Sequence, residues 1–485
     1  MTELFRFFYY KNLIVFPLRR TEFEIDFSDA EMPVLTKRVK AGEREESFGT
    51  AYPSASCREE LTAFLQEKGF FDRKENDLRG YCGASFGAVV VTEEGEKTVS
   101  MNDLPGNAPR TFIALEELLE SLYDASPKKF PYRENDPFAS ECGALFDPLF
   151  PPDGPAASVL ITDGDRILYD CGFGRPDLAE DRQANGDTFY NIASCSKQFT
   201  AVGILQLAEK GLLSLSDPVK KWFGDFRGGF WNRVTVSHLL SHSSGVPDKR
   251  GYLTRKQLLE CDDTLALEYM PGLDALDFEP GTAYDYVNPT FVLCGKLISV
   301  VSGMPFEEYM KKYVFEPAGM RRTLYFEADK QELIPYRAHG YEKEDGGWSL
   351  YEYGQETCFA TRPDGGLYTS VHEFFKWEKA LREGRLISLD SLSLAQSEIT
   401  RVTGSELCDY QNRPNTWYGY GWFVEPAVPD MSERVIYHTG DNGGFKILTA
   451  RYPGSGKTVN IFAARADYDR YGLKIKLEKL LGVRK

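Results

Sequence analysis

Three short segments lying far apart in this chain carry complementary chemistry, and any fold that uses them must return the backbone twice to one place. Ser194-Cys195-Ser196-Lys197 opens a helical pattern, Tyr286-Val287-Asn288 follows a Pro280-Gly281-Thr282 turn, and His438-Thr439-Gly440 heads a strand-like run near the C-terminus. Matches this short also arise by chance. Ser126-Pro127-Lys128-Lys129 fits the same S-x-x-K spacing, and Tyr410-Gln411-Asn412 fits the same Y-x-N spacing. Order and context set the first three apart. Together they supply a nucleophile, a means of deprotonating it and a strand to hold a substrate, which is the equipment of a serine hydrolase working through an acyl-enzyme.

Apolar residues recur at helical spacing after Ser194, at Phe199, Val202, Leu205 and Ala208, until Gly211 offers a stop. Ser194 and Lys197, three apart, therefore share a helix face. A lysine can take the serine proton only where burial or a nearby cation lowers its pKa, and a helix N-terminus favours the negative charge that develops. Tyr286, held against a lysine, can act as phenolate or proton shuttle, and Asn288 can hydrogen-bond Lys197 or a substrate amide. The strand at His438-Thr439-Gly440 can pair with an extended substrate, with the backbone N–H groups of Ser194 and Asp441 expected as oxyanion donors. Each segment alone has a blander reading: a solvated lysine one turn after a serine, a core tyrosine, and a hairpin that uses Gly440, Gly443 and Gly444 for its turn.

These segments, with their order and gaps, resemble the class C β-lactamase, serine DD-peptidase and esterase superfamily. Leu213-Ser214-Leu215-Ser216-Asp217-Pro218-Val219 agrees with it. His238-Leu239-Leu240-Ser241-His242-Ser243-Ser244-Gly245 resembles that family's H-L-L-x-H-x-S-G segment, and Pro363-Asp364-Gly365-Gly366-Leu367 resembles its P-A-G-G-L segment, with Asp364 where alanine is usual. The resemblance runs from about residue 137 to 485. It implies Ser194 as nucleophile, Lys197 and Tyr286 sharing acid–base work, Asn288 orienting substrate, and His438, Thr439, Gly440 and Asp441 lining the site, with no cofactor. It also implies an α/β (α+β) fold: an antiparallel sheet flanked by helices, plus a helical lobe, with the site in the cleft between them. The expected substrates are small esters or amides, D-amino-acid peptides included. The alternatives are a non-catalytic binding or regulatory protein that keeps the fold, and a weak true β-lactamase. Where class C β-lactamases carry K-T-G this chain has His438, so a substrate carboxylate should be attracted weakly at pH 7 and better near pH 6, where an ordinary imidazole charges.

His238 and His242, four apart, also have metal-ligand spacing, but Leu239 stands where a zinc peptidase needs glutamate. No metal is expected, and the two histidines are read as support for the site. A formal charge of −16 disfavours nucleic acid, and nine scattered cysteines read as free thiols. No apolar run is long enough to span a membrane, and Phe5 to Leu18, broken by Lys11 and Pro17, lacks the pattern of an export signal. A cytoplasmic protein is the expectation. Residues 1–136 read as an accessory α+β domain of strands alternating with helices, shaping the cleft mouth or mediating self-association. A linker is expected at 126–137, before the hydrolase domain at 137–485.

Overall fold

In the computed structural model the chain divides into two units, Met1–Asp136 and Pro137–Lys485. The first unit is described at residues 4–13, 19–26, 34–41, 44–51, 57–67, 84–92, 95–103 and 110–125. From residue 136 onward everything is described except 181, 253, 255–260, 328–333, 335, 353–360 and 404–414. Residues 126–135 of the expected linker, and the chance matches at Ser126 and Tyr410, therefore lie outside the described residues.

Among its described residues the first unit is one antiparallel sheet with two helices. Its strands are β1 (Leu4–Leu13), β2 (Arg19–Asp26), β3 (Val34–Ala41), β4 (Arg44–Ala51), β5 (Ala84–Thr92) and β6 (Gly95–Asp103), in the order β4-β3-β2-β1-β5-β6. Phe23 and Ile25, two apart on β2, are both buried, as are Leu61 and Leu65 of the helix Cys57–Glu67 and Leu115 and Leu119 of the helix Arg110–Ala125. Period two in the strand and period four in the helices mark the faces that meet. Strands alternate with helices as the sequence suggests, but a second hairpin, β3 and β4, precedes the first described helix. Lys37, Arg38, Lys40, Arg44, Glu45 and Glu46 crowd β3 and β4, and they hide the apolar alternation that would have announced a second hairpin.

The second unit is built on an eight-stranded antiparallel sheet whose two halves come from opposite ends of the unit. β7 (Ala157–Asp163) and β8 (Arg166–Phe173) form a hairpin near its start. β9 (Tyr190–Asn191), β10 (Leu324–Tyr325), the hairpin β11 (Tyr341–Glu344) and β12 (Gly347–Leu350), and β13 (Leu367–Thr369) follow. Then come β14 (Thr400–Arg401), β15 (Trp417–Tyr418), β16 (Phe423–Glu425), β17 (Val435–Asn442), β18 (Phe445–Tyr452) and β19 (Lys457–Ala463). The large sheet runs β14-β15-β16-β17-β18-β19-β7-β8, so the last strand pairs with the first hairpin. Helices cover both faces, which is why β7 and β19 are buried along nearly their whole length. On one face Phe146 packs on Tyr169, and Phe150 on Tyr468 ahead of the closing helix Arg470–Leu480. On the other, Phe374 meets Phe462 while Trp377 of the same helix, Val371–Arg382, stacks on Phe199 at 4.0 Å. The stretch between the serine helix and residue 430 also contains β10 to β16; strands of two to four residues are too short to show a period. No single described helix is long and apolar enough to cross a membrane.

A buried charge cluster ties the helix Val371–Arg382 to this sheet. His372 lies 2.7 Å from Asp170 of β8 and 3.1 Å from Asp187, and Arg322 stands 3.7 Å from Asp187. Burial alone would neutralise the imidazole, but the two carboxylates hold its pKa well above the ordinary value. A pKa raised by folding makes stability fall as pH rises from about 6.5, the unfolded value, to the folded one, by up to about 1.4 kcal/mol per pH unit. The melting-temperature gap between this chain and His372→Asn should therefore narrow between pH 6 and pH 9 in calorimetry; a constant gap would contradict the charged assignment.

Candidate active site

Ser194 sits at a strained corner between sheet and helix. β9 pairs with β13 and ends at Asn191, whose Oδ1 accepts the Ala193 N–H at 2.9 Å. Ala193 has φ +46°, a left-handed conformation that costs a non-glycine residue about 1–2 kcal/mol. A short 3-10 turn, Ala193–Ser196, then runs into the helix Lys197–Glu209. Strand β17 presses on this corner from the side. A Cβ on Gly440 would lie 2.3 Å from the Ile192 carbonyl oxygen, so only glycine admits so close an approach.

Lys197 is fully buried, and its Nζ reaches three oxygens from three segments: Ser194 Oγ at 3.1 Å, Asn288 Oδ1 at 2.7 Å and the Asp364 carbonyl at 2.8 Å. Two of the three can only accept. Nζ donates to all three; when it gives up one proton, Asn288 Oδ1 and Asp364 O can each keep an N–H group, and the freed lone pair is left for the serine hydroxyl. The 363–367 segment is fixed to the serine helix by Thr200 Oγ1 donating to Pro363 O at 2.6 Å and by the Leu367 N–H donating to Ser196 Oγ at 3.3 Å.

Tyr286 and Asn288 are positioned by His242. The buried imidazole accepts the Val287 N–H through Nδ1 at 3.2 Å, and the His242 carbonyl accepts the Asp285 N–H at 2.9 Å. His242 has φ +53°, and its ring lies 4.2 Å from that of Tyr286, between the tyrosine and Phe291. Burial, then the proximity of Lys197 and His438, keep its pKa well below the ordinary value, so it serves as a neutral strut. Asn288 starts the helix Asn288–Ser302, with Pro289 in its first turn. Lys197 Nζ stands 5.0 Å from the Tyr286 ring centroid, a cation–π distance. His238 caps its own helix, accepting the Thr235 N–H at 3.2 Å. Among the described residues no group of three or more His, Cys, Asp or Glu side chains is arranged to hold a metal ion.

The third segment needs correction. His438 is buried at 1% exposure, donating from Nδ1 to Thr439 O at 2.7 Å and accepting the Tyr418 hydroxyl at Nε2, 2.9 Å away. Burial, with Lys197 nearby, pushes its pKa down to about 3, so lowering the pH to 6 does not charge it. His438, Thr439 and Gly440 back the pocket rather than line it. Its walls include Ser194, Asn288, Arg250, Asp364, Asp441 and Asn442. Sequence reasoning gave no role to Arg470, which is buried at the head of the closing helix. It donates to Gly440 O at 3.1 Å and to Asp441 Oδ2 at 2.6 Å, clamping the strand end that carries the expected oxyanion donor. Cys195, beside the serine, points into the core, and burial pushes its thiol up to about 12, an inert state.

A family model described as Beta-lactamase matches residues 151–481. A penicillin-binding protein of Bacillus subtilis (strain 168) is 30% identical over 339 residues, 67% of this chain and 72% of its own length. The octameric penicillin-binding protein homologue from Pyrococcus abyssi superposes with a TM-score of 0.61 at 26% identity, covering 72% of this chain and 77% of that one. A D-amino acid amidase from Ochrobactrum anthropi SV3 shares the fold, with a TM-score of 0.59 at 21% identity over 71% of this chain and 98% of its own. The expected fold, an antiparallel sheet flanked by helices, is the one these structures have.

The depressed pKa of His438 has a direct readout. Ring shifts of His438 followed by NMR should stay at neutral-imidazole values from pH 8 to pH 5; a midpoint near 6 would contradict the burial argument.

Proposed function

Because the chain belongs to the Beta-lactamase family, within the serine β-lactamase and transpeptidase superfamily, we propose that it hydrolyses small esters and amides, D-amino-acid amides among them, through an acyl-enzyme on Ser194. The chain is a serine hydrolase of this general type; the residue roles and the substrate class are the proposal. The observation that carries it is the buried Lys197 amine, 3.1 Å from Ser194 Oγ and bonded to two further oxygens that can only accept. In the first step Ser194 Oγ bonds to the substrate carbonyl carbon as its proton passes to Lys197 Nζ. The oxyanion is received by the backbone N–H groups of Ser194 and Asp441, on a strand end held by Arg470. Lys197, with Tyr286 as partner, returns the proton to the leaving nitrogen or oxygen, and the acyl bond forms as the amide or ester bond breaks. Water then repeats the sequence on the acyl-serine, releasing the acid. Asn288 both orients Lys197 and stands in the pocket wall where a substrate amide can reach it.

The buried thiols at Cys195 and Cys294, which form no disulfide, suit a reducing compartment, and action in the cytoplasm is part of the proposal. Residues 1–136 are assigned an accessory role, with self-association as its form; the octameric state in the description of the archaeal relative is the support for that choice.

An acylating fluorophosphonate or penicillin-type probe followed by intact mass should add one adduct to the chain and none to Ser194→Ala, whose turnover should fall to background. Loss of a nucleophile costs on the order of 10⁶ in kcat, so a variant retaining more than about 10% of activity would refute the assignment. Lys197→Ala and Tyr286→Phe should each slow acylation severely, and the double variant should cost little more than the worse single one; additive losses in log kcat/KM would separate the two residues. With no charged group where K-T-G enzymes carry lysine, small esters and D-amino-acid amides should be cleaved far better than β-lactams. A cephalosporin kcat/KM above about 10⁵ M⁻¹s⁻¹ would overturn that preference.

A further inference from the structure

Asp364, the residue that departs from the family's alanine, is 5% exposed and lines the pocket beside Ser194, yet its buried carboxylate oxygen Oδ1 accepts no hydrogen bond among the described residues. A carboxylate buried without a partner is costly, so such a group is retained where something outside the resting protein completes it. The other charges around this pocket are already matched. Arg250 is held by Asp248, with Nη2–Oδ2 at 2.7 Å and Nε within 3.2 Å of both carboxylate oxygens, and Asp441 is held by Arg470 at 2.6 Å. Arg250 lies within electrostatic reach of Asp364, but no described group donates to Asp364 Oδ1, so the ligand that completes this oxygen is a cation that can donate a hydrogen bond.

Reach then selects which cation. The Asp364 carbonyl and Ser194 Oγ are bridged by the single nitrogen of Lys197, at 2.8 and 3.1 Å, so the Asp364 residue stands one group away from the reacting oxygen. A distal lysine- or arginine-like substrate group stands several bonds further from the scissile carbon and must give up more rotamer freedom to reach that position. An α-ammonium is attached to the carbon next to the scissile carbonyl. We propose that Asp364 determines specificity by binding the α-ammonium of the substrate, so that the preferred substrates are amino-acid amides and esters, or peptides cleaved after their first residue, with the amino group free. This rests on the acyl-enzyme reading of Ser194 given above.

The test compares an amino-acid 4-nitroanilide with its N-acetyl derivative, in both D and L forms, on the full chain. The ratio of kcat/KM for free over acetylated substrate should be well above one in the wild type and should fall by about 30-fold or more in Asp364→Asn, which keeps the backbone carbonyl that holds Lys197. Asp364→Glu should restore part of the ratio. In the wild type, kcat/KM for the free-amine substrate should decline above about pH 8 as the ammonium deprotonates, while the acetylated one does not follow it. A wild-type ratio of one or less, turnover of neither nitroanilide, or equal losses on both substrates in Asp364→Asn would each overturn the inference. Failure of the probe to label Ser194 would instead refute the acyl-enzyme reading, so the two failures are distinguishable.

Discussion

The arrangement turns on a buried amine. Lys197 has no exposed surface, and a lysine taken out of water must have its polar head met by the protein. Its contacts come from its own helix turn, from the start of the helix Asn288–Ser302 and from the carbonyl of Asp364. Asn288 and Asp364 lie 91 and 167 residues beyond Lys197, so satisfying one nitrogen fixes the helical lobe and the 363–367 turn against the serine helix at once. The packing follows the same lines. Phe199 stacks on Trp377 beneath the serine helix, and a Cβ on Gly295 would strike Pro363 at 2.2 Å, so the Asn288 helix and the turn lie in close contact. A change in any of these segments moves the oxygen that Lys197 needs.

What could be read from the sequence is what depends on spacing over a few residues. Ser194 and Lys197 three apart, Tyr286 and Asn288 two apart, and the apolar runs of β7 and β17 to β19 each announce themselves within one element, and their convergence in one sheet-and-cleft fold follows from the family resemblance. What could not be read depends on groups far apart in sequence or on backbone conformation. Arg470 at the head of a helix looks like any solvated arginine until β17 is placed against it. The positive φ of Ala193 and His242 leaves no trace in residue type, since neither is glycine. His438 is instructive because its identity was legible while its state was not. An imidazole at the surface would titrate near neutrality, but one closed in by Tyr418, Phe423 and Lys197 stays neutral, and only the fold supplies those neighbours.

The first unit marks the opposite limit. Its strands alternate clearly where one face is apolar, as at Phe23 and Ile25, and vanish into charge where Lys, Arg and Glu occupy β3 and β4. Pairing there is specified by backbone hydrogen bonds and hairpin connections more than by apolar contrast, which a reading of hydrophobic period does not sense.

Two differences, His438 where class C β-lactamases carry lysine and Asp364 where alanine is usual, act in the same electrostatic direction. The first removes a permanent positive charge from behind the pocket, because the imidazole that replaces it is held neutral across the physiological range. The second adds a carboxylate to the wall close to Ser194. In water either change would count for little, since exposed charges are screened within about 10 Å at ordinary ionic strength. Behind a buried wall they are screened less, and their effects add. On the proposed reading, a site altered this way would penalise a substrate carboxylate and favour a substrate cation, while the serine, its buried lysine and the tyrosine loop stay in place. The same catalytic frame can thus be turned from one class of carbonyl substrate to another by substitutions that leave the nucleophile and its base in place.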